Sequence, residues 1–512
     1  MKKGRIESFL RNNMMNIIVV LFFLLLTYGI KIFNIVISHD TEAIISVRDS
    51  QYEAWISMGR YGLVFMKWLI GTYDFNPYIA SFMMITSLFV ASLLWIYVIG
   101  YIQDDLDMKK QYRWVFPVIC LTSPVFAEQS AFLLQSYEVS LSLSISAITV
   151  LCIYKGIMKK NIAYLIASVV SIAFLQSVYQ ALLLITFTGS VCGFVVFYDR
   201  FTRSEKYDTK GYLMIVGKIL LVFVGGVLLC AITEKIVLSV LGIHKTAYIT
   251  EQYLWSHANK LTVIKSILSH IGVVLFGGRI FYSYTLFISM LITCLFVALK
   301  YKNHQKGYFV YILSIFGVFV CPFLLTFILG QSLSARSELT IPFVCGFLVY
   351  YNIDQLQNIK KYDVLKTAVV VLTGLVAINQ ANTSARIYYT EYVKYQEDVM
   401  LATKLSNRLE EKFGKDAYTK PVVFVGYRSA SLNESTYPES ALELTGRSFF
   451  SVSFSTLHGT FVMENYLRTI GINFKSPSQK QIDIAEKISQ NMTSWPSDES
   501  IIEYNGIIII KL

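Results

Sequence analysis

The stretch Asn16–Arg60 reads NIIVVLFFLLLTYGIKIFNIVISHDTEAIISVRDSQYEAWISMGR. An apolar run comes first, and His39, Asp40, Glu42, Arg48, Asp49, Glu53 and Arg60 crowd in behind it, beside Trp55. The run from about Asn16 to Ile37 outlasts the roughly 7–15 apolar residues of a signal-peptide core, and no small-x-small cleavage site follows. It reads as a first membrane-crossing helix, with Ser38–Arg60 as the loop at its exit. So many ionisable groups at a membrane exit point to the active-site loop of an enzyme working on the outer face.

The rest of the chain agrees with a membrane setting. Of 512 residues, 54% are hydrophobic and 15% charged, against roughly 25% charged in soluble domains. The net charge of +11 does not indicate nucleic acid, because Lys and Arg gather in short clusters between apolar runs, as in cytoplasmic loops. The start, with Lys2, Lys3, Arg5 and Arg11, is inside by that rule. Inside clusters recur at Lys109–Arg113, Lys155–Lys160, Asp199–Lys210, Lys300–Lys306 and Lys360–Lys366. Between them the pattern predicts about eleven crossings of the ~20-residue kind. Two of these, Trp114–Pro124 and Leu339–Tyr351, are short. The turns at Glu138, Gln176–Gln180, Gly242–Arg279 and Gly330–Glu338 fall outside. The seven cysteines lie in apolar runs without CxxC spacing and read as small buried hydrophobes.

Composition changes after Ala381. A long polar-faced helical pattern is followed by PVVFVGY (Pro421–Tyr427) and the terminal GIIIIKL, both short strands. The expectation is a polytopic α-helical membrane domain over residues 1–381, with 38–76 as its first external loop carrying interfacial helices. A small extracytoplasmic α/β domain follows over 382–512.

Asp40 and Glu42 stand where a carboxylate can act as general base on a hydroxyl, hold a divalent cation, or cap the following helix. Glu138, at the outer start of a helix, either marks a site or is an interfacial residue. Arg60, Arg279 and Arg336 can each grip a phosphate through a forked contact or reach to lipid headgroups. Tyr179 and Gln180 suit sugar hydroxyls, or a plain turn. The histidines lack zinc spacing, so no metal site is expected. No Walker loop, GxGxxG or GxSxG is present, which argues against an ATP-driven pump or a serine hydrolase.

His39-Asp40 after the first helix, Trp55-x3-Gly59-Arg60, Ser123-Pro124, Ser136-Tyr137-Glu138, Tyr179-Gln180, Arg336 and Val422–Gly426 occur in an order that resembles the bacterial glucosyltransferase-II family. The resemblance implies a GT-C-like bundle with its catalytic acid in the first external loop, the place of Asp40. It implies a polyprenyl-phosphate sugar donor made inside and flipped outward, hence a small flippase and a donor-synthesising glycosyltransferase as partners. The acceptor would be a surface polysaccharide, such as O-antigen or teichoic acid, at the bacterial cytoplasmic membrane. The family's loop often carries two adjacent acids; here His39 takes the first place and Glu42 follows Asp40. The implied reaction is an inverting hexose transfer, with glucose the expected sugar and no cofactor. Asp40, Glu138 and Glu42 are the catalytic candidates. Arg60, Arg336, Tyr179, Gln180, Trp55 and His39 are the substrate-binding ones. A polysaccharide polymerase or flippase is the competing reading. A flippase needs no external α/β domain and would line a central path with its charges.

Overall fold

Asn76-Pro77 starts the first long helix. The Asn76 side chain accepts from the backbone N–H groups of Tyr78 and Ile79, and Pro77 takes the first-turn place where no N–H is missed. The computed structural model describes residues 3–202, 207–301, 306–357, 359 and 363–512. Lys2 and the charged positions Arg203, Lys206, Lys302, Lys360 and Lys361 lie outside the described residues.

Among the described residues, six helices are long and apolar enough to cross a bilayer. They are Pro77–Gln103, Leu133–Lys159, Gln180–Thr202, Thr209–Leu241, Tyr308–Leu329 and the start of the helix beginning at Asp363. Met14–Tyr28, Ile162–Val178 and Thr285–Lys300 are apolar but shorter. Large apolar side chains such as Leu221, Leu228, Ile236, Leu295 and Phe316 point outward. In water that would be an aggregation hazard; in a bilayer it is the lipid-facing surface. The chain is a membrane-embedded helical protein.

The expected eleven crossings are not eleven unbroken helices. The span expected at Trp114–Pro124 is a seven-residue helix, Val115–Leu121, followed by Pro124–Ala131. The break has a local cause: a residue before proline is pushed to extended geometry, and Ser123 adopts it (φ −61°, ψ 135°). Both pieces are buried throughout, inside the bundle rather than against lipid. The expected Gln176–Gln180 turn shrinks to one extended residue, Tyr179, between Ile162–Val178 and Gln180–Thr202.

Three short helices follow the first one: Thr41–Ser46, Arg48–Ser57 and Tyr61–Ile70. On the last, Phe65, Trp68 and Leu69 are exposed while Leu63, Met66 and Lys67 are buried. Its outward side is apolar and its one charge faces inward.

The expected domain boundary at 381/382 falls inside one continuous helix, Asp363–Phe413, about 77 Å long at 1.5 Å per residue. Its first part is apolar. Its second part packs against a three-stranded sheet in the order β1 (Val422–Val425), β3 (Ile507–Lys511), β2 (Ile501–Tyr504). β1 and β3 are parallel, with Val423 opposite Ile509, and β2 is antiparallel to β3. The central strand β3 is the buried isoleucine run. Ile37, from the end of the first membrane segment, inserts into the core of this unit beside Leu401, Phe449 and Tyr466. A buried ion pair, Lys31 Nζ to Glu391 Oε2 at 2.6 Å, joins the same two parts.

Candidate active site

Asp40 occupies the left-handed region (φ 70°) just before helix Thr41–Ser46. An L-residue pays strain there, least for Asp and Asn. Its side chain makes no capping hydrogen bond, so the helix-cap reading of Asp40 is not what the carboxylate does. Its neighbours are tied down on both sides. Ser38 Oγ donates to the Ala131 carbonyl at 2.9 Å, and His39 Nε2–H donates to the Ser448 carbonyl at 3.0 Å. Asp40 alone in this turn is exposed.

His39 is buried against Phe449, ring centroids 4.9 Å apart. Burial, with Lys394 nearby, pushes its pKa down to about 3, so the imidazole is neutral at physiological pH. It holds the loop to the α/β unit rather than lining an opening.

Glu42, expected at the water boundary, is buried at 1% exposure, and its Oε2 has no hydrogen-bond partner. Burial, reinforced by the charge of Asp40 and opposed by Lys394, pushes its carboxyl well up. A carboxyl that holds its proton more tightly in the fold costs stability as pH rises from its unfolded value of 4.5 towards the raised one. Glu42→Gln escapes that loss. The melting-temperature gap between variant and wild type should therefore move in the variant's favour from pH 5 to pH 8; a gap flat with pH rejects the raised Glu42.

Two guanidinium groups converge near this turn. Gly59, at φ 78°, ends helix Arg48–Ser57 and turns the chain into Arg60. Arg60 Nε donates to Gln180 Oε1 at 3.2 Å, and Gln180 Nε2 donates to the Met58 carbonyl at 3.2 Å. The Arg60 guanidinium lies 5.1 Å from the Tyr179 ring centroid, and Tyr179 OH donates to Ser337 Oγ at 3.1 Å. Arg336 lies 4.0 Å over the Phe132 ring, and its Nη1 is shut from solvent without a partner. Burial lowers the pKa of Arg60; the positive Arg336 pushes the same way, while Tyr179 and Asp40 push back. Arg60, Tyr179, Gln180, Arg336 and Asp40 thus share one electrostatic neighbourhood at one end of the bundle. Anionic groups are strong hydrogen-bond partners for an unpartnered buried N–H such as that of Arg336 Nη1.

Glu138 and Trp55 belong elsewhere. Glu138 is fully buried and paired with Lys67, also fully buried. The Lys67 ammonium is boxed by Tyr137, Phe75 and Trp55, with centroids 5.0, 5.4 and 5.8 Å away. Trp55 is 2% exposed and stacks on Tyr52. Glu138, expected among the catalytic candidates, and Trp55, among the substrate-binding ones, are thus both packed around Lys67. A lysine in so apolar a helix needs a counter-charge once buried, and Glu138 supplies it. The signal for this was Lys67 standing alone within YGLVFMKWLI.

The α/β unit supplies groups that sequence reading missed. Glu443 Oε2 accepts from Ser334 Oγ at 2.6 Å and from the Ala335 N–H at 2.7 Å, bracing the turn that carries Arg336. Glu128 Oε1 accepts from the N–H groups of Leu444 and Thr445 at 3.0 and 3.1 Å. On the other side of the Arg336 turn, Glu338 Oε2 accepts from Tyr282 OH, and His270 Nε2 lies 3.0 Å from its Oε1. Among the described residues, no group of three or more His, Cys, Asp or Glu is arranged to hold a metal ion.

The fold is thus a membrane-embedded helical bundle that carries a carboxylate, Asp40, and two arginines, Arg60 and Arg336, at one end. A family model described as Glucosyl transferase GtrII matches residues 29–353. The chain belongs to that family and is by that membership a glycosyltransferase. The match takes in Asp40, Arg60, Tyr179, Gln180 and Arg336 but ends before Glu391, Lys394 and Glu443. Neither characterised proteins nor solved structures gave a match.

Proposed function

We propose that the protein moves a hexose, with glucose the expected sugar, from a polyprenyl-phosphate donor to a cell-surface polysaccharide. The reaction lies on the outer face of a bacterial cytoplasmic membrane. The N-terminus is inside and the α/β unit outside. Donor synthesis and flipping fall to partner proteins of the inner face and the bilayer. The observation that carries the reading is the unpartnered buried Nη1 of Arg336, whose charge acts on Arg60 as that of the uncapped Asp40 does.

Asp40 takes the proton of an acceptor hydroxyl. That oxygen forms a bond to the anomeric carbon from the face opposite the phosphate. The carbon–oxygen bond to phosphate breaks, and its electron pair leaves with the phosphate. Arg336 and Arg60 hold the charge that develops there, as preorganised donors do in a site poor in water. Phosphate leaves without protonation, so no general acid is required. Tyr179 and Gln180 set the guanidinium of Arg60. His39 and Glu42 position the Asp40 turn, and Glu138 with Trp55 supports the platform under it.

The test is transfer by purified protein in proteoliposomes, offered polyprenyl-phosphate glucose or UDP-glucose. Use of the lipid donor alone is expected; equal use of the nucleotide sugar would reject the donor class. Arg336→Ala should raise the KM for lipid donor about 10–100-fold, the loss expected of a charge-assisted contact, with a smaller effect on acceptor KM. An unchanged donor KM rejects the phosphate role.

A further inference from the structure

A groove of about 780 Å³ runs between Gly277–Phe281, at the end of the helical bundle, and Ser440–Arg447 of the α/β unit. That volume lies within the ~300–1,000 Å³ typical of ligand sites. Glu443 is common to this groove and to the turn that carries Arg336. Its Oε2 is committed to Ser334 and Ala335, and its Oε1 meets Arg279 Nη1 only loosely, at 3.5 Å. Arg279 is half exposed on one wall. Arg447, on the other, donates from Nη2 to the Leu442 carbonyl at 3.1 Å, while its Nε is shut from solvent with no partner. Gly277 and Gly278 leave the floor without side chains, and no atom lies within 3.4 Å of where a Cβ at Gly277 would be. The groove therefore offers a cation on each wall, one carboxylate already engaged, a serine hydroxyl and bare backbone.

We propose that this groove binds the acceptor as an anionic glycan, one that carries phosphate or carboxylate groups along its chain. This rests on the transferase reading above and deepens it. Arg279 and Arg447 grip the anionic groups through forked contacts. Glu443 couples the groove wall to the Arg336 turn, so that an acceptor bound there is directed towards Asp40. The lipid donor's phosphate stays with Arg60 and Arg336.

Full-length protein in nanodiscs is titrated with fluorescent low-mass dextran sulfate and with neutral dextran of the same length. Wild type should bind the sulfated probe at least about tenfold more tightly than the neutral one, a gap of about 1.4 kcal/mol. Arg279→Gln/Arg447→Gln should lose about tenfold for the sulfated probe. Lys480→Gln/Lys487→Gln removes the same charge from the helix Gln479–Ser489, which does not line the groove, and should lose little. Equal losses in the two double variants, or none in the first, overturn the proposal. If Arg447→Gln unfolds the protein, Arg279→Gln alone, at its half-exposed position, should still weaken binding about threefold; no change there overturns it as well. Transfer kinetics give the second readout. Acceptor KM should rise with donor KM unchanged, and a rise confined to donor KM assigns the groove to lipid phosphate and overturns the acceptor role. Asp40→Asn should bind the sulfated probe like wild type. Failure of the transferase reading, seen as no transfer from any donor, is thus separable from failure of the groove.

Discussion

Asp40→Asn is expected to cut sugar transfer by about 10²–10⁴-fold, the range that a positioned general base contributes, without unfolding the protein. The amide keeps the size and polarity of the carboxylate but cannot take the acceptor's proton. Asn also tolerates the left-handed backbone at φ 70° as well as Asp does. No capping hydrogen bond is lost, because the Asp40 side chain makes none. Ser38 and His39 hold the turn from both sides regardless. Donor KM should stay within about twofold, since the phosphate contacts come from Arg60 and Arg336. Transfer by the variant at more than a tenth of the wild-type rate, or surface glycan in expressing cells with its side branch intact, would sink the role of Asp40 as base.

Glu138→Ala should destabilise the fold by roughly 3–5 kcal/mol, the usual cost of leaving one member of a buried ion pair alone. Lys67 would keep its ammonium among Tyr137, Phe75 and Trp55. Those ring faces attract a cation but do not replace a carboxylate. Lys67→Met alone should cost a similar amount by stranding Glu138. The double variant Lys67→Met/Glu138→Gln removes both charges and should regain most of the loss, as coupled neighbours do. Thermal unfolding in detergent reads the stability; additive losses in the double variant would reject the coupling. Transfer activity of the double variant separates two roles for Glu138. Recovery of stability and transfer together makes it a support of the site. Recovery of stability alone makes it a substrate contact.

The membrane character and the family were legible in the chain, and Asp40, Arg60, Tyr179, Gln180 and Arg336 stood out in it as candidates. The reason is energetic. A charged or amide group at the end of an apolar helix is costly unless it is used, so such groups stand out one by one. The strands Val422–Val425 and Ile507–Lys511 were legible for a similar reason, as β-rich apolar runs too short to cross a membrane. β2 was not, because Ile501–Tyr504 is half polar and takes its shape from pairing with Ile507–Ile510. Eleven unbroken crossings were not legible from hydropathy alone. Hydropathy sees apolar length, whereas Ser123-Pro124 breaks the chain locally and buries two short helices inside the bundle.

The order of apolar and charged segments thus determined by itself that this protein sits in a membrane and exposes an acidic loop after its first helix. Which of the loop's acids is free was decided only by packing. Asp40 and Glu42 differ by two positions, yet one is exposed and the other buried. The choice depends on Ala131, Ser448 and Lys394, which lie far along the chain. In the same way Glu138 was assigned to Lys67, and Glu443 to the turn of Arg336. Those pairings come from desolvation, which penalises a buried charge unless a partner meets it in space, and no local pattern of residues records that.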